Sequence, residues 1–232
     1  MKLVLLPGLD GTGDLFQPFI SCLSPEIDAQ VISYSTDKKQ NYSELTQHVI
    51  EQLPQDDFVL IAESFSGYIA FQIALKNIPH LKRIIFVASF LEPPKPLLLT
   101  LSRCLPMSIL FSLPIPTFMV KYFLIGMQAS HVLIKEVKNV IKKVQPEVLS
   151  HRLGLIKELK IDKTMIPKQV YYIQADNDKL VPDSCLSAFN NNFSFVRLYK
   201  VKGPHFLLQA QPKACAKIIN ESLVRIINET FA

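Results

Sequence analysis

Short apolar runs recur along the chain and alternate with stretches in which apolar residues return at helical spacing. Six of these runs are rich in β-branched or aliphatic residues and are predicted to be strands: Lys2 to Leu6, Gln30 to Tyr34, Phe58 to Ala62, Arg83 to Ala88, Gln169 to Gln174 and Phe195 to Val201. Strands that alternate with helices are typical of an α/β fold, in which a parallel sheet carries helices on both faces. Most of the runs are too apolar for a sheet with one solvated face, so we expect both faces to be buried.

Helices are predicted between these strands and after the last one. Their ranges are Leu15 to Leu23, Ser43 to Leu53, Ser66 to Lys76 and Lys213 to Asn228. Asn41 and Ser43 are candidate caps of the second helix.

The interval from residue 89 to residue 168 interrupts the alternation of strands and helices. It is rich in proline at its start and shows helical periodicity in its second half, most clearly from Ser130 to Val144. We therefore expect an α/β core formed by residues 1–88 and 169–232, with a helical cap or lid of residues 89–168 inserted after the fourth strand. No repeat or Gly/Ser linker indicates a second independent domain.

Composition excludes several other classes of protein. The 232 residues are 49% hydrophobic and 19% charged, which is typical of one globular domain. The net charge of +5 comes from scattered lysines without a long basic run, so no nucleic-acid partner is expected. The four cysteines are widely spaced and form no CxxC pair, so no metal site is expected either.

The apolar segments do not predict membrane insertion or secretion. The first apolar run is interrupted by Pro7 and Gly8, which makes it too short for a signal peptide. Charged residues and prolines divide the apolar stretch from residue 97 to residue 127 into pieces shorter than a membrane span. We therefore expect a cytoplasmic location.

A candidate nucleophile follows the third predicted strand. The strand runs directly into Glu63-Ser64-Phe65-Ser66-Gly67 and then into a helical pattern, which is the context of a G-x-S-x-G nucleophile elbow. Ser64 is in the nucleophile position, while Ala62 and Ser66 stand where glycines are usual. Both are small, so the steric requirement is met. The alternative is that Ser64 only caps the helix, a common structural role of serine.

A glycine-rich loop, Leu6-Pro7-Gly8-Leu9-Asp10-Gly11-Thr12-Gly13, follows the first predicted strand. An oxyanion hole needs two backbone N–H donors, one from the residue after the nucleophile and one from the loop after this early strand. We predict Phe65 and Leu9 for these two positions. The alternative of a phosphate-binding loop is disfavoured because neither GxxxxGK[ST] nor GxGxxG is present.

Candidates for the acid and the base come later in the chain. Asp176 and Asp178 both follow the fifth predicted strand, and either could orient a histidine or merely cap a helix. Glu92, after the fourth strand, is a third candidate acid. His205 lies in the loop after the sixth strand and is the predicted base, because it completes the chain order of nucleophile, acid and base.

The segments LPGLDGTG, AESFSG, ADNDKLVP and GPHF together resemble the α/β-hydrolase superfamily across nearly the whole chain. Members commonly carry the acid in G-x-x-D-x-x-V-P, where this chain has Ala175 in place of glycine, so the resemblance favours Asp178 over Asp176. The LPGLDGTG loop further resembles a lipase-like and acyltransferase-like subgroup that includes the plant phytyl ester synthases.

The resemblance implies a serine hydrolase of a small-molecule carboxylic ester or thioester. His205 would deprotonate Ser64, Asp178 would orient His205, and no metal or organic cofactor would be needed. Acyl transfer to an alcohol, a catalytically silent binding module, and haloperoxidase-like or carbon–carbon bond hydrolase chemistry remain alternatives.

Apolar residues in the predicted cap provide the only indication of substrate. Many of them must pack the cap onto the core, but together they also predict an apolar acyl group and transient contact with a membrane surface. They are Leu97, Leu98, Leu99, Leu101, Leu105, Met107, Ile109, Leu110, Phe111, Phe118, Met119, Tyr122 and Phe123.

Overall fold

Six strands form one parallel sheet in the computed structural model, which describes residues 1–94, 112–113 and 115–230. The strands are β1 (Lys2–Leu6), β2 (Asp28–Val31), β3 (Phe58–Glu63), β4 (Leu81–Val87), β5 (Ile166–Ala175) and β6 (Phe193–Val201). Their order in the sheet is β2-β1-β3-β4-β5-β6, and every neighbouring pair is parallel. The predicted α/β fold with a parallel sheet of six strands is therefore confirmed.

The bounds of β2 differ most from the prediction, since the strand begins at Asp28 and ends at Val31 instead of Tyr34. The N–H of Ile32 still donates to the carbonyl of Leu5, but the N–H of Tyr34 donates to the carbonyl of Gly11 at 2.7 Å. The end of the predicted strand therefore leaves the sheet, because it is bound to the glycine-rich loop after β1.

Nine helices are present among the described residues, together with two short 3-10 turns and one π-helical turn. They are α1 (Gln17–Ile20), α2 (Tyr42–Ile50), α3 (Ser66–Leu75), α4 (Thr117–Met119), α5 (His131–Lys143), α6 (Pro146–Lys157), α7 (Leu186–Asn192), α8 (Leu207–Ala210) and α9 (Pro212–Thr230). The 3-10 turns are Asp14–Phe16 and Asp183–Cys185, and the π-helical turn is Val120–Ile125.

Two of the predicted helices differ from the observed ones in how they begin or end. The first is shorter than predicted, because after Ile20 the chain continues in tight turns, with the N–H of Cys22 bound to the carbonyl of Phe19. The second begins after Asn41, whose side chain accepts from the N–H of Glu44 while the Glu44 carboxylate accepts from the N–H of Asn41. Asn41 is thus the cap, and this reciprocal pair satisfies two N–H groups of the first turn.

Both faces of the central strands β1, β3 and β4 are largely buried, as the apolar strands predict, whereas the edge strand β6 keeps exposed residues such as Phe195. Alternate residues of each strand point to opposite faces, so Val4 and Leu60 belong to one apolar cluster while Leu5 and Val59 belong to another. The first cluster includes residues of α2 and α3, and the second includes residues of α1 and α9. Helices therefore cover both faces, and the carboxyl ends of the strands are left to form a site.

The predicted cap, here called the inserted segment (residues 89–168), contains α4, the π-helical turn, α5 and α6. It also contains the first three residues of β5, because that strand begins at Ile166, three residues earlier than predicted. Ser130 caps α5 by accepting a hydrogen bond from the N–H of Leu133. Residues Val137 and Val140 of α5 pack with Val120 and Ile125 of the π-helical turn. The division into a core and a cap stays a prediction, and the apolar residues from Leu97 to Phe111 lie outside the described residues.

Contacts with the core hold the described part of the inserted segment in place. The carbonyl of Leu124 accepts a hydrogen bond from the N–H of Phe206 at 2.8 Å, and Lys143 forms an ion pair with Asp14 at 2.6 Å. Across the described residues, no helix combines the length and the apolar character needed to cross a membrane.

Candidate active site

The three predicted triad residues all follow strands of the sheet at its carboxyl edge. Ser64 comes directly after β3, Asp178 lies three residues beyond β5, and His205 lies four residues beyond β6. In a parallel sheet the carboxyl ends of the strands share one edge, which is where open α/β sheets bind their ligands. The fold thus brings residues that are far apart in sequence to one place.

Ser64 lies in a tight turn between β3 and α3 with a φ angle of 49°. Its N–H donates to the carbonyl of Val87, and its own carbonyl accepts from the N–H of Gly67. A non-glycine residue in the left-handed region carries backbone strain, and it persists here because hydrogen bonds on both sides fix the turn. The turn is therefore a strained strand-to-helix elbow of the kind that exposes a nucleophile.

Gly67 lies one position later than the second glycine of the usual elbow motif, and packing explains why a glycine is needed there. A Cβ on Gly67 would lie 2.9 Å from the carbonyl oxygen of Phe90 and 2.9 Å from the Cβ of Ser89. On the other side of the nucleophile, the carbonyl of the fully buried Ala62 accepts a hydrogen bond from the Ser89 hydroxyl at 2.7 Å. The chain that follows β4 therefore packs against the elbow and requires a glycine at position 67.

Ser66, in the second position where a glycine is usual, has a role of its own. Its hydroxyl donates to the carbonyl of Pro7 in the loop after β1. Because that uses its one proton, the hydroxyl of Tyr34 donates to Ser66 Oγ at 2.6 Å. Burial raises the pKa of Tyr34 well above its ordinary value, so its phenol keeps this proton. The serine thus ties the elbow to the glycine-rich loop, which a glycine could not do.

Ser64, His205 and Asp178 form a continuous chain of hydrogen bonds. Ser64 Oγ lies 2.9 Å from His205 Nε2, and His205 Nδ1 lies 2.8 Å from Asp178 Oδ2. A carboxylate can only accept, so Nδ1 carries the proton and Nε2 is free to accept from the serine. Ser64 is 8% exposed and His205 3%. The three side chains can therefore pass a proton from serine to histidine in a site that is largely shielded from water.

The three candidate acids differ in their hydrogen-bond partners and in their exposure. Asp178 uses Oδ2 for His205 and Oδ1 for the N–H groups of Leu180 and Val181, at 2.8 and 2.9 Å. Asp176 instead accepts from the N–H of Gly203 at 2.9 Å, and Glu92 is exposed. Asp178 is therefore the acid that contacts the histidine, and Asp176 holds the loop on which the histidine lies.

Charge and burial shift the pKa values of Asp178 and His205 in opposite directions. Burial on its own would raise the pKa of Asp178, but the charge and hydrogen bond of His205 outweigh it and the pKa is lowered. Burial would lower the pKa of His205, but the charge and the hydrogen bond of the Asp178 carboxylate outweigh it and the pKa is raised. The pair therefore stabilises the imidazolium that forms when the histidine accepts a proton.

The loop after β1 approaches the nucleophile closely. The N–H of Gly11 donates to the carbonyl of Gly8 at 3.1 Å, which closes a turn around Leu9. A Cβ on Gly8 would lie 3.8 Å from the Cβ of Ser64. Among the described residues, neither the N–H of Leu9 nor that of Phe65 donates to another group. Both are thus available for an oxyanion, and their use as its donors stays a prediction.

Three further polar residues of the site, Glu63, Gln209 and Arg152, were missed at the level of sequence. Glu63 is buried beside Ser64 and accepts a hydrogen bond from Gln209 at 3.2 Å. Burial raises its pKa to about 8. Arg152 comes from α6 and contacts the loop after β1. Glu63 occupies a variable position of the elbow motif, and Arg152 lies in an ordinary helical pattern, so no sequence signal identified either.

No cluster of metal-ligating side chains accompanies these residues in the described ranges. There, no three His, Cys, Asp or Glu side chains are arranged to hold a metal ion. A cleft of about 560 Å³ lies beside the glycine-rich loop, but none of the triad residues lines it. Its lining residues are Thr12, Gly13, Asp14, Leu15, Gln17, Val31, Ser33, Glu136, Asn139, Val140 and Lys143.

Solved structures with the same fold cover almost the whole chain. A bromoperoxidase from Bacillus anthracis has a TM-score of 0.74 at 15% identity, over 98% of this chain and 91% of that one. A lipase-esterase related protein from Clostridium acetobutylicum has a TM-score of 0.72 at 16% identity, over 95% and 93%. The thioesterase RedJ from the prodiginine pathway of Streptomyces coelicolor has a TM-score of 0.70 at 14% identity, over 95% and 84%. At these identities the likeness shows the fold.

Family membership rests on the sequence itself. No curated protein sequence matches the chain. Residues 32–197, more than half of the chain, match the model of the family described as serine aminopeptidase, S33. This match includes the elbow and Asp178, and it agrees with the architecture of the sheet. The chain is therefore a hydrolase of the α/β-hydrolase superfamily and belongs to the serine aminopeptidase S33 family.

Proposed function

We propose that the protein cleaves a carboxylic ester or thioester through an acyl-enzyme, with Ser64 as nucleophile, His205 as base and Asp178 as the orienting acid. The observation that carries the proposal is the continuous chain of hydrogen bonds from Ser64 Oγ through His205 to Asp178. A serine hydroxyl at its ordinary pKa is a weak nucleophile, and an adjacent oriented histidine is the means by which hydrolases activate it.

In the first half of the proposed reaction, His205 Nε2 accepts the Ser64 proton as Oγ attacks the carbonyl carbon. The electron pair of the carbonyl bond moves to its oxygen, which accepts hydrogen bonds from the N–H groups of Leu9 and Phe65. The tetrahedral intermediate then expels the alcohol or thiol, which takes the proton from His205. In the second half, His205 accepts a proton from water as the water oxygen attacks the acyl carbon. The second tetrahedral intermediate expels Ser64 Oγ, which takes this proton back from His205, and the free acid leaves.

The relatives support chemistry at an acyl carbon. The structural neighbours include a lipase-esterase related protein and thioesterases, and the family is described as serine aminopeptidase. All of these activities begin with attack on a carbonyl carbon bonded to oxygen, sulfur or nitrogen. An ester or thioester is preferred here because its alcohol or thiol is a better leaving group than an amine and places a smaller demand on the triad.

We further propose that the acyl group is apolar and that residues 89–168 act as a cap over it. Large apolar side chains stand exposed on the described part of this segment, with Phe118 66% exposed, Tyr122 50% and Val132 66%. Exposed apolar patches of this kind mark binding sites or surfaces that contact lipid. The same residues support the proposal of transient contact with a membrane surface by a cytoplasmic protein.

Activity profiling tests the proposed function directly. The purified chain is assayed against p-nitrophenyl esters and acyl thioesters of graded chain length, with aminoacyl p-nitroanilides as a third series and Ser64→Ala as the control. We expect hydrolysis that increases with acyl length and labelling of Ser64 by a fluorophosphonate, both absent in Ser64→Ala. Activity confined to acetate would reject the apolar acyl group, and activity confined to anilides would reject the ester or thioester.

Two alternatives have their own discriminating measurements. An acyltransferase would form a new ester when an alcohol is added, at the expense of free acid. A catalytically silent binding module would be neither labelled by the fluorophosphonate nor active on any ester in the panel.

A further inference from the structure

Arg152 is a buried charged side chain on which the charge of Asp10 acts without forming a salt bridge. It is 2% exposed and, among the described residues, forms no salt bridge. Arginine is almost never fully buried unless it is paired. Its guanidinium instead donates to three backbone carbonyls, those of Leu9 at 2.8 Å, Asp10 at 2.7 Å and Ser35 at 2.8 Å. The buried charge is thus satisfied by the backbone of the core, chiefly by the loop after β1.

Two of these carbonyls belong to the middle of the turn that carries the Leu9 N–H. The ends of this turn are fixed by the core, because Gly11 donates to the carbonyl of Gly8 and Tyr34 donates to the carbonyl of Gly11. The carbonyls of Leu9 and Asp10 accept only from Arg152 within the described part of the chain. Without the guanidinium, both carbonyls would lose their hydrogen-bond partner. The peptide between Leu9 and Asp10 would then be restrained only by the ends of the turn and by the Asp10 carboxylate, which accepts from Thr12.

Gly11 shows how closely the guanidinium approaches the turn. A Cβ on Gly11 would lie 2.5 Å from Arg152 Nη1, and the residue has a φ of 74°. A side chain at this position would therefore displace the guanidinium as well as strain the backbone. The ring of Tyr34, with its centroid 5.7 Å from the guanidinium carbon, closes another side of the site. The turn, its glycine and the aromatic ring together form a site shaped for a planar cation.

We propose that Arg152 is a positioning residue for catalysis, which holds the turn at Leu9 and Asp10 so that the Leu9 N–H points at the carbonyl oxygen of the substrate. The inference rests on the proposed function, since the direction of this N–H matters only if Ser64 attacks a carbonyl. It assigns to the inserted segment a part in the chemistry, because α6 supplies the group that shapes the oxyanion site. No residue of the core replaces it among those that the structure describes.

Three variants test this role. Arg152→Met removes the donors while keeping much of the stem, Arg152→Lys keeps the charge but loses the planar fork, and Lys157→Met removes an exposed charge from the same helix as a control. For each variant, kcat and KM are measured on p-nitrophenyl butyrate per folded molecule, with the folded fraction taken from urea unfolding. The inhibition constant of phenylboronic acid, whose adduct with Ser64 mimics the tetrahedral intermediate, is measured alongside.

We expect Arg152→Met to lower kcat about 10- to 100-fold with KM changed less than about 3-fold, because a misplaced oxyanion donor acts on the transition state. The inhibition constant of phenylboronic acid should rise by the same factor. Arg152→Lys should lie between Arg152→Met and wild type, and Lys157→Met should match wild type.

A purely structural contact would give a different result. If Arg152→Met keeps the wild-type kcat per folded molecule, whether or not its KM rises, the positioning role is wrong while the proposed function stands. If Arg152→Met does not fold, Arg152→Lys decides, and wild-type kcat and inhibition in that variant overturn the inference. If wild type neither hydrolyses an ester nor is labelled at Ser64, the proposed function fails and this inference fails with it.

Discussion

Gln209 Nε2 donates a hydrogen bond to Glu63 Oε2 at 3.2 Å, and the Oε1 atoms of both side chains have no hydrogen-bond partner among the described residues. Two unpartnered acceptors in a buried pair make the protonated carboxyl the better fit, since it adds a donor. This agrees with a pKa that burial raises to about 8, against the opposing charge of His205 and the hydrogen bond from Gln209. Glu63 is therefore protonated at neutral pH.

This proton makes stability depend on pH. In the unfolded chain Glu63 ionises near its ordinary pKa of 4.5, whereas the folded chain holds the proton up to about pH 8. The unfolded state thus binds fewer protons between these values, so this group lowers the free energy of unfolding as pH rises, by up to about 1.4 kcal/mol per pH unit. Glu63→Gln, neutral in both states, should remove this dependence and be more stable than wild type at pH 8.

Urea unfolding at several pH values between about 5 and 8 measures the difference between the two proteins. The exposed Glu158→Gln should keep the wild-type slope and controls for the loss of a carboxylate. A constant difference between Glu63→Gln and wild type across this range would contradict the prediction.

The two neighbouring aspartates are expected to differ sharply in their effect on catalysis. Asp178→Asn leaves His205 without a carboxylate at Nδ1 and should lower kcat by about 10⁴-fold. Asp176→Asn can still accept from the N–H of Gly203 through its amide oxygen, so a loss of less than about 10-fold is expected. Steady-state kinetics on p-nitrophenyl butyrate compare them, and equal losses would remove Asp178 from its assigned role.

The pH profile of kcat/KM should report His205. A base must be neutral to accept a proton, and Asp178 raises the pKa of His205 above its ordinary value of 6.5 despite burial. Activity should therefore fall as pH drops through a midpoint above 6.5. Asp178→Asn removes the carboxylate that raises the pKa of His205 most strongly. In this variant the fall of the residual activity on the acid side should therefore move to lower pH. If its midpoint does not move, a group other than His205 is responsible for the fall.

Two glycines provide a matched pair for stability. Gly67→Ala places a Cβ 2.9 Å from the Phe90 carbonyl oxygen and the Ser89 Cβ, and we expect a loss of about 1–3 kcal/mol from this overpacking. Gly154→Ala, in the interior of α6 with nothing within 4 Å of the new Cβ, should gain about 0.5–1 kcal/mol from helix propensity. Thermal unfolding should give shifts of opposite sign, and a stabilised Gly67→Ala would disprove the steric reason for this glycine.

The sheet and its six strands were predictable because apolar runs of strand length are a local property of the sequence. Gln30 to Tyr34 shows the limit of this reasoning, since its last residues are as strand-like as the first. Tyr34 leaves the sheet only because its N–H binds Gly11, a partner that the local pattern does not indicate.

Some residues of the candidate site could also be predicted from a local motif, whereas others depend on contacts across the fold. Ser64 and His205 lie in motifs with a recognisable order. The residues alone leave Asp176 and Asp178 as alternatives, and the family resemblance favours Asp178. In the structure the two aspartates differ in their exposure and in their hydrogen-bond partners. Glu63 stands at a variable position of the elbow motif, and Arg152 lies in no motif. Their significance comes from burial and from contacts across the fold, which no short window of sequence contains.

The hydrogen bond from Phe206 to Leu124 joins the inserted segment to the neighbour of His205, as Arg152 joins it to the turn at Leu9. Exchanging the chain between residues 89 and 168 would therefore also remove contacts that the loops of the candidate site need. A chimera that received this interval from another hydrolase would leave the carbonyls of the turn and the N–H of Phe206 without their partners. We expect such a chimera to be active only when the loops at residues 8–11 and 203–206 are exchanged together with the inserted segment. The part that must be exchanged as one piece is therefore made of three separate stretches of the sequence.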